Sequence, residues 1–231
     1  MRSRVQLPIV VRQIAHNWFN DFKKLPFNQA LGDGTLPRAV FEDFLVQDAC
    51  YLRAYAGAMR HLIQKAPDAE TKKKLKEIAE AMVDEELKQI DGYTGSYLTM
   101  FSGVKPVQEV CAYSHHLRRA VQTGYAEGIA GLSVCPWAYE RMGRHMRADE
   151  LCHDHHYREV IKTYSKPSYR KANDDMKILL TRCFDHVSHD YAAQARLTDW
   201  FCGSLHHERF FTLRMGRALN QDLVESYGYR H

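Results

Sequence analysis

The sequence predicts an all-α protein, a single-domain bundle of seven or eight helices spanning residues 1–231. Three observations carry that expectation. Apolar residues recur at three- and four-residue spacing almost throughout. Period-two alternation of β-branched residues is nearly absent. Glycines and prolines punctuate the pattern at helix-length intervals.

The elements follow in order. Residues 5–24 form an amphipathic first helix. Leu31-Gly32-Asp33-Gly34-Thr35-Leu36-Pro37 is a turn whose glycines permit positive φ, and Pro37 suits the first turn of the next helix. That helix runs over 38–65 and is broken by Pro67. A third covers 68–100, with an interruption expected at Gly92. Residues 103–106 are a loop, and a fourth helix covers 107–123 and ends at Gly124. The fifth spans 125–148 and carries Pro136. Further helices fit 154–165, 170–195 and 197–220.

Composition narrows the function classes. In 231 residues, 45% are hydrophobic and 26% charged, enough apolar material to close a core and too little charge for a disordered chain. The net charge of +4 is mild. The cluster Lys72, Lys73, Lys74 and Lys76 is interleaved with Glu70, Glu77 and Glu80, which reads as a solvated helix face, not a nucleic-acid stripe. No apolar run has membrane-spanning length, and the patch Leu7-Pro8-Ile9-Val10-Val11 is too short for a signal peptide. A cytoplasmic protein is therefore expected, with no nucleic-acid or membrane partner. The six cysteines are widely spaced and contain no CxxC, so they read as reduced thiols.

Polar groups on apolar stripes mark the candidate site. Phe41, Phe44, Leu45, Leu52 and Tyr55 share one helix face, and Asp48 lies on it with Tyr51 nearby. A buried aspartate satisfied by a neighbouring helix would be the plain explanation. The last helix repeats the anomaly, with Glu208 on the stripe of Phe201, Leu205 and Met215. Two acids facing inward from distant helices suggest a polar pocket that shifts carboxyl proton affinities. In the fifth helix Cys135 shares a stripe with Ile129, Leu132, Tyr139, Met142 and Met146. A free cysteine is often only a small core residue. Pro136 beside it removes a backbone donor and should distort the helix at the thiol. The histidines His115, His116, His153, His155 and His156 form no core-facing Glu-x-x-His pair; Glu150 and His153 have the spacing but follow a polar stretch. His16 alone is a poor case for a haem ligand. No metal is expected.

The motifs together resemble the TenA family, the thiaminase II or aminopyrimidine aminohydrolase group, in its cysteine-containing type. The matching stretches are LGDGTLPRAVFEDFLVQDACY (31–51), residues 112–143 including EGIAGLSVCPWAYERMG, YREVIKTYS (157–165) and HERFFTLRMG (207–216). They run nearly the length of the chain in the family's order. The resemblance implies a haem-oxygenase-like helical fold, with Cys135 as nucleophile, Glu208 as acid and base, and Asp48 at the active site. It implies Asp48, Tyr51, Tyr113, Tyr139 and Tyr164 as substrate-binding residues. The chain departs from the family at His207 and Phe211, where the family's YExxFW has Tyr and Trp, and at Val160-Ile161 in place of WI.

The implied reaction is hydrolysis of an aminomethyl-pyrimidine, or of thiamin, to hydroxymethyl-pyrimidine, without metal or organic cofactor. The family also implies a homo-oligomer, a tetramer. An oxidase-type enzyme on the same fold and a non-catalytic pyrimidine-binding or regulatory protein are the competing readings. The thiol and the two acids are expected to share one enclosed cavity sized for a six-membered heterocycle.

Overall fold

The computed structural model describes residues 5–84, 103–148 and 155–226, and these are helical with no strand among them. The helices are α1 (Ile9–Phe22), α2 (Pro26–Asp33), α3 (Arg38–Gln64), α4 (Ala69–Ala79), α5 (Gln108–Thr123), α6 (Tyr125–Leu132), α7 (Val134–Ala148), α8 (Arg158–Thr163), α9 (Pro167–His186) and α10 (Tyr191–Ser226). A π-helical turn, Glu80–Asp84, follows α4 directly. The expected stretch beyond it, with Gly92, lies outside the described residues, as do Glu150, Cys152 and His153.

More helices are present than the seven or eight expected, and each extra boundary has a local cause. Pro26 sits at the start of α2, where its missing N–H costs nothing. Gly34 ends that helix in the left-handed region at φ 80°, and His155 closes over it with its Cγ 2.7 Å from where a Cβ would stand. The expected helix 125–148 is interrupted at Ser133, because Pro136 has no N–H to give the Leu132 carbonyl one turn earlier. Tyr55 Oη donates to that carbonyl instead, at 3.0 Å. α9 stops at His186, earlier than expected, and Asp190 starts α10 by accepting from the Ala193 N–H at 2.9 Å.

The long helices α3 and α10 organise the bundle. α3 packs on α5, and α10 packs on α2, α5, α6 and α7, while α9 covers α4 and α6. The shared interior holds Phe44, Met59, Leu62, Leu117, Ile129, Leu132 and Phe201. The solvated reading of the lysine cluster holds for Lys72, Lys73 and Lys76, whereas Lys74 reaches Asp175 on α9 at 3.0 Å.

Candidate active site

Four helices aim polar side chains at one point in the interior. α3 supplies Asp48 and Tyr51, α5 supplies Tyr113, α7 supplies Cys135 and Tyr139, and α10 supplies Glu208. Asp48 is 7% exposed and Glu208 2%. A small cavity is lined by Asp48, Tyr51, Val110, Tyr113, Tyr139, Glu208 and Phe211. Cys135 meets Glu208 through a side-chain hydrogen bond and also lines a second, apolar cavity with Leu52, Tyr55, Met82, Val83, Pro136 and Tyr169. The thiol therefore stands on the partition between a polar and an apolar hollow. The π turn brings Met82 and Val83 there, a common use of that geometry.

Among the described residues neither Asp48 nor Glu208 forms an ion pair. Burial pushes the Asp48 carboxyl well above its ordinary value of 3.8. Burial likewise raises Glu208 from 4.5 to about 8; the charge of Asp48 adds to the rise, and hydrogen bonds from Tyr113 and Cys135 oppose it. Tyr113 Oη donates to Glu208 Oε1 at 3.1 Å. Burial also raises the phenols of Tyr51, Tyr113 and Tyr139 far above neutrality, so all three remain donors. Tyr51 Oη, packed against the Tyr113 ring at 4.7 Å between centroids, is buried with no hydrogen bond of good geometry. Its polar contact is the Tyr113 phenol, whose proton affinity it lowers, and it can turn from there to an acceptor inside the cavity.

The structure brings together Asp48, Tyr51, Tyr113, Tyr139, Cys135 and Glu208. It sets Tyr164 one layer back, its ring 5.0 Å from that of Tyr139 and 5.7 Å from that of Tyr169. The expectation of one cavity shared by the thiol and both acids and sized for a six-membered ring needs correction: Asp48 and Glu208 line the polar hollow, Cys135 lines the neighbouring apolar one, and each holds about 10 Å³, room for roughly one water. A heterocycle enters only if lining side chains move outward. Among the described residues no cluster of three His, Cys, Asp or Glu could hold a metal ion. His16 is exposed and lies against Arg141 at 3.2 Å, away from the interior.

Sequence reasoning missed Tyr55, Val110, Met82, Val83 and Tyr169. Only Tyr55 left a signal: the carbonyl freed by Pro136 needs a donor, and Tyr55 lies on a core-facing stripe.

The sequence model of the TENA/THI-4/PQQC family matches residues 11–218. The chain belongs to that family. The aminopyrimidine aminohydrolase of Halalkalibacterium halodurans is 27% identical over 154 residues, covering 64% of this chain and 69% of that protein. The thiamine biosynthesis multifunctional protein ThiED of Corynebacterium glutamicum is 28% identical over 188 residues, covering 80% of this chain. This chain matches only 24% of the length of that larger protein. Among solved structures, the TenA homologue from P. horikoshii OT3 superposes with a TM-score of 0.78 at 21% identity, over 90% of this chain and 96% of the other. A protein from Silicibacter sp. TM1040 described as a TenA family transcription regulator gives 0.80 at 21% identity, over 91% and 97%. The haem-oxygenase-like helical fold implied by the resemblance is thus the fold of this chain. Among the described residues no helix is long and apolar enough to cross a membrane.

Proposed function

We propose that this chain hydrolyses an aminomethyl-substituted pyrimidine, replacing the amine with a hydroxyl in thiamin salvage. The single observation that carries the reading is the buried Glu208, hydrogen-bonded to the Cys135 thiol and facing a second buried acid, Asp48, with neither acid in an ion pair among the described residues. Relatives named aminopyrimidine aminohydrolase support it.

The chemistry suits these groups. An amine on a methylene is a poor leaving group, and covalent addition to the ring divides one hard step into two. The ionised fraction of Glu208 accepts the Cys135 proton through their shared hydrogen bond. The thiolate sulfur then forms a C–S bond to an electron-poor ring carbon. Ring electrons break the C–N bond at the exocyclic methylene, and Glu208 returns the proton to the departing amine. Water adds to the methylene as Glu208 takes its proton, and the electron pair flows back to release the thiolate. The sum is one amine and one water exchanged for one alcohol and one ammonia. Glu208 must give and take a proton near neutrality, and an affinity raised to about 8 suits that duty.

Asp48 pairs with the ring nitrogen and exocyclic amine, and Tyr51 and Tyr113 donate to or stack on the ring, with Tyr139 backed by Tyr164. We assign the whole chain to one catalytic domain and place it in the cytoplasm as a homotetramer.

The test is ammonia release from 4-amino-5-aminomethyl-2-methylpyrimidine by the wild type and by Cys135→Ser. A fall of about a hundredfold or more with the fold intact is expected. Unchanged turnover in the variant removes Cys135 from the reaction. Tight pyrimidine binding by a wild type that releases no ammonia would favour the regulatory reading suggested by the Silicibacter protein's description.

A further inference from the structure

Behind the cavity lies a second set of aromatic groups that the proposed reaction does not use. His207, one residue before Glu208 on α10, stacks on the Tyr113 ring with centroids 5.2 Å apart and planes 14° apart. Its other neighbour is His116 of α5, at 4.9 Å. His116 Nε2 lies 3.2 Å from the Trp200 carbonyl and 3.1 Å from Ser204 Oγ. The carbonyl can only accept, and the Ser204 hydroxyl hydrogen is already given to the Gly131 carbonyl at 2.8 Å. The hydrogen bonds therefore assign the proton of His116 to Nε2. Gly203 makes the approach feasible, since a Cβ there would stand 2.5 Å from His116 Cε1. The ring of His116 is thus pinned to α10, and it buttresses His207 against Tyr113.

We infer that His207 is a positioning residue of the active site: its flat ring, braced by His116, holds the Tyr113 phenol in the orientation that donates to Glu208 Oε1. The inference rests on the proposed proton-transfer role of Glu208. The imidazole acts as a surface and not as a charge. Burial keeps His207 below its ordinary proton affinity, helped by His206. Burial, helped by His207, brings His116 down to about 4. The groups facing Glu208 are Asp48 and Tyr51 of α3, Tyr113 of α5, and Cys135 and Tyr139 of α7. Those facing His207 are Tyr113 and His116 of α5 and His206 of α10.

Three variants separate ring, volume and charge. His207→Phe keeps a flat ring, His207→Leu fills space without one, and His207→Ala does neither. Loss of the stack should lower kcat about tenfold with KM within twofold in the Ala and Leu variants, while Phe stays within twofold of the wild type. The Glu208 limb of the pH profile should move upward in Ala and Leu and hold in Phe, because the Tyr113 hydrogen bond opposes the rise in Glu208. The tyrosine Cζ resonance of Tyr113, identified by its loss in Tyr113→Phe, gives the same answer without turnover. It should shift in Ala and Leu and hold in Phe. If Leu behaves like Phe, or Phe like Ala, or Ala like the wild type, the inference is overturned. The resonance decides this even for a chain that releases no ammonia, so failure of the reaction and failure of the inference remain distinct.

Discussion

Glu140 and Glu208 are equally hidden, each 2% exposed, yet their surroundings differ completely. Glu140 is held by Arg144 at 2.7 Å, with Arg170 at 3.9 Å and Asn173 Nδ2 at 3.4 Å. Glu208 has a phenol, a thiol and another acid. Asp175, also buried, follows the Glu140 pattern, with Lys74 at 3.0 Å and Lys171 at 2.8 Å. Where this fold needs an acid only to tie helices together, it supplies a cation. Where it withholds one, the carboxyl costs stability and gains a tunable proton. The two glutamates lie on helices that pack together, so the difference is set by the few side chains facing each one.

The largest effects should separate the two kinds of acid. Glu208→Gln should lower ammonia release by about a hundredfold or more, the usual size of a lost acid–base group. Glu140→Gln should leave kcat of the folded protein within a few-fold, yet cost on the order of 2–4 kcal/mol in urea unfolding by leaving Arg144 without its partner. Equal loss of kcat in both variants would break the comparison.

A second effect, of similar size, is visible in stability alone. Asp48 and Glu208 have folded proton affinities above their ordinary 3.8 and 4.5. Their protonation favours the folded state fully below about pH 4. That contribution is lost as pH rises through the folded value of Glu208, about 8. The double variant Asp48→Asn, Glu208→Gln should therefore gain on the order of 5 kcal/mol relative to the wild type as pH rises from 5 to 9. Parallel stability–pH curves would mean the acids are solvated or paired.

Much of this contrast was legible in the sequence. Asp48, Cys135 and Glu208 fall on stripes whose other members are apolar, and helical periodicity alone places them inside. The long helices α3 and α5 lie close to their expected limits because Pro37, Pro67 and Gly124 mark their ends. What was not legible depends on other helices. The eight-residue α2 is too short for periodicity to register. The π turn that sets Met82 and Val83 beside Cys135 leaves no local signal. The stack of His207 on Tyr113 joins residues far apart in the chain, as does the setting of Tyr164 behind Tyr139. Cavity volume depends on packing to within a fraction of a side chain, and the ring-sized hollow expected from the sequence is closed down to about one water.

Two smaller effects sharpen the account. Tyr55→Phe strands the Leu132 carbonyl and should cost about 1–2 kcal/mol, with a several-fold loss of kcat because the interruption beside Cys135 loosens. Tyr51→Phe removes a buried hydroxyl whose contact with the Tyr113 phenol is of poor hydrogen-bond geometry. It should leave stability unchanged within about 0.5 kcal/mol and raise KM about tenfold, the worth of one hydrogen bond. Lost stability with unchanged KM would assign that hydroxyl to the fold.

The most direct test is the pH dependence of kcat/KM for 4-amino-5-aminomethyl-2-methylpyrimidine in the wild type and in Glu208→Gln. The wild type should show a limb near pH 8 that the variant lacks, at greatly reduced rate. A variant that keeps both the limb and the rate would show that the buried Glu208 transfers no proton, and the contrast with Glu140 would carry no function.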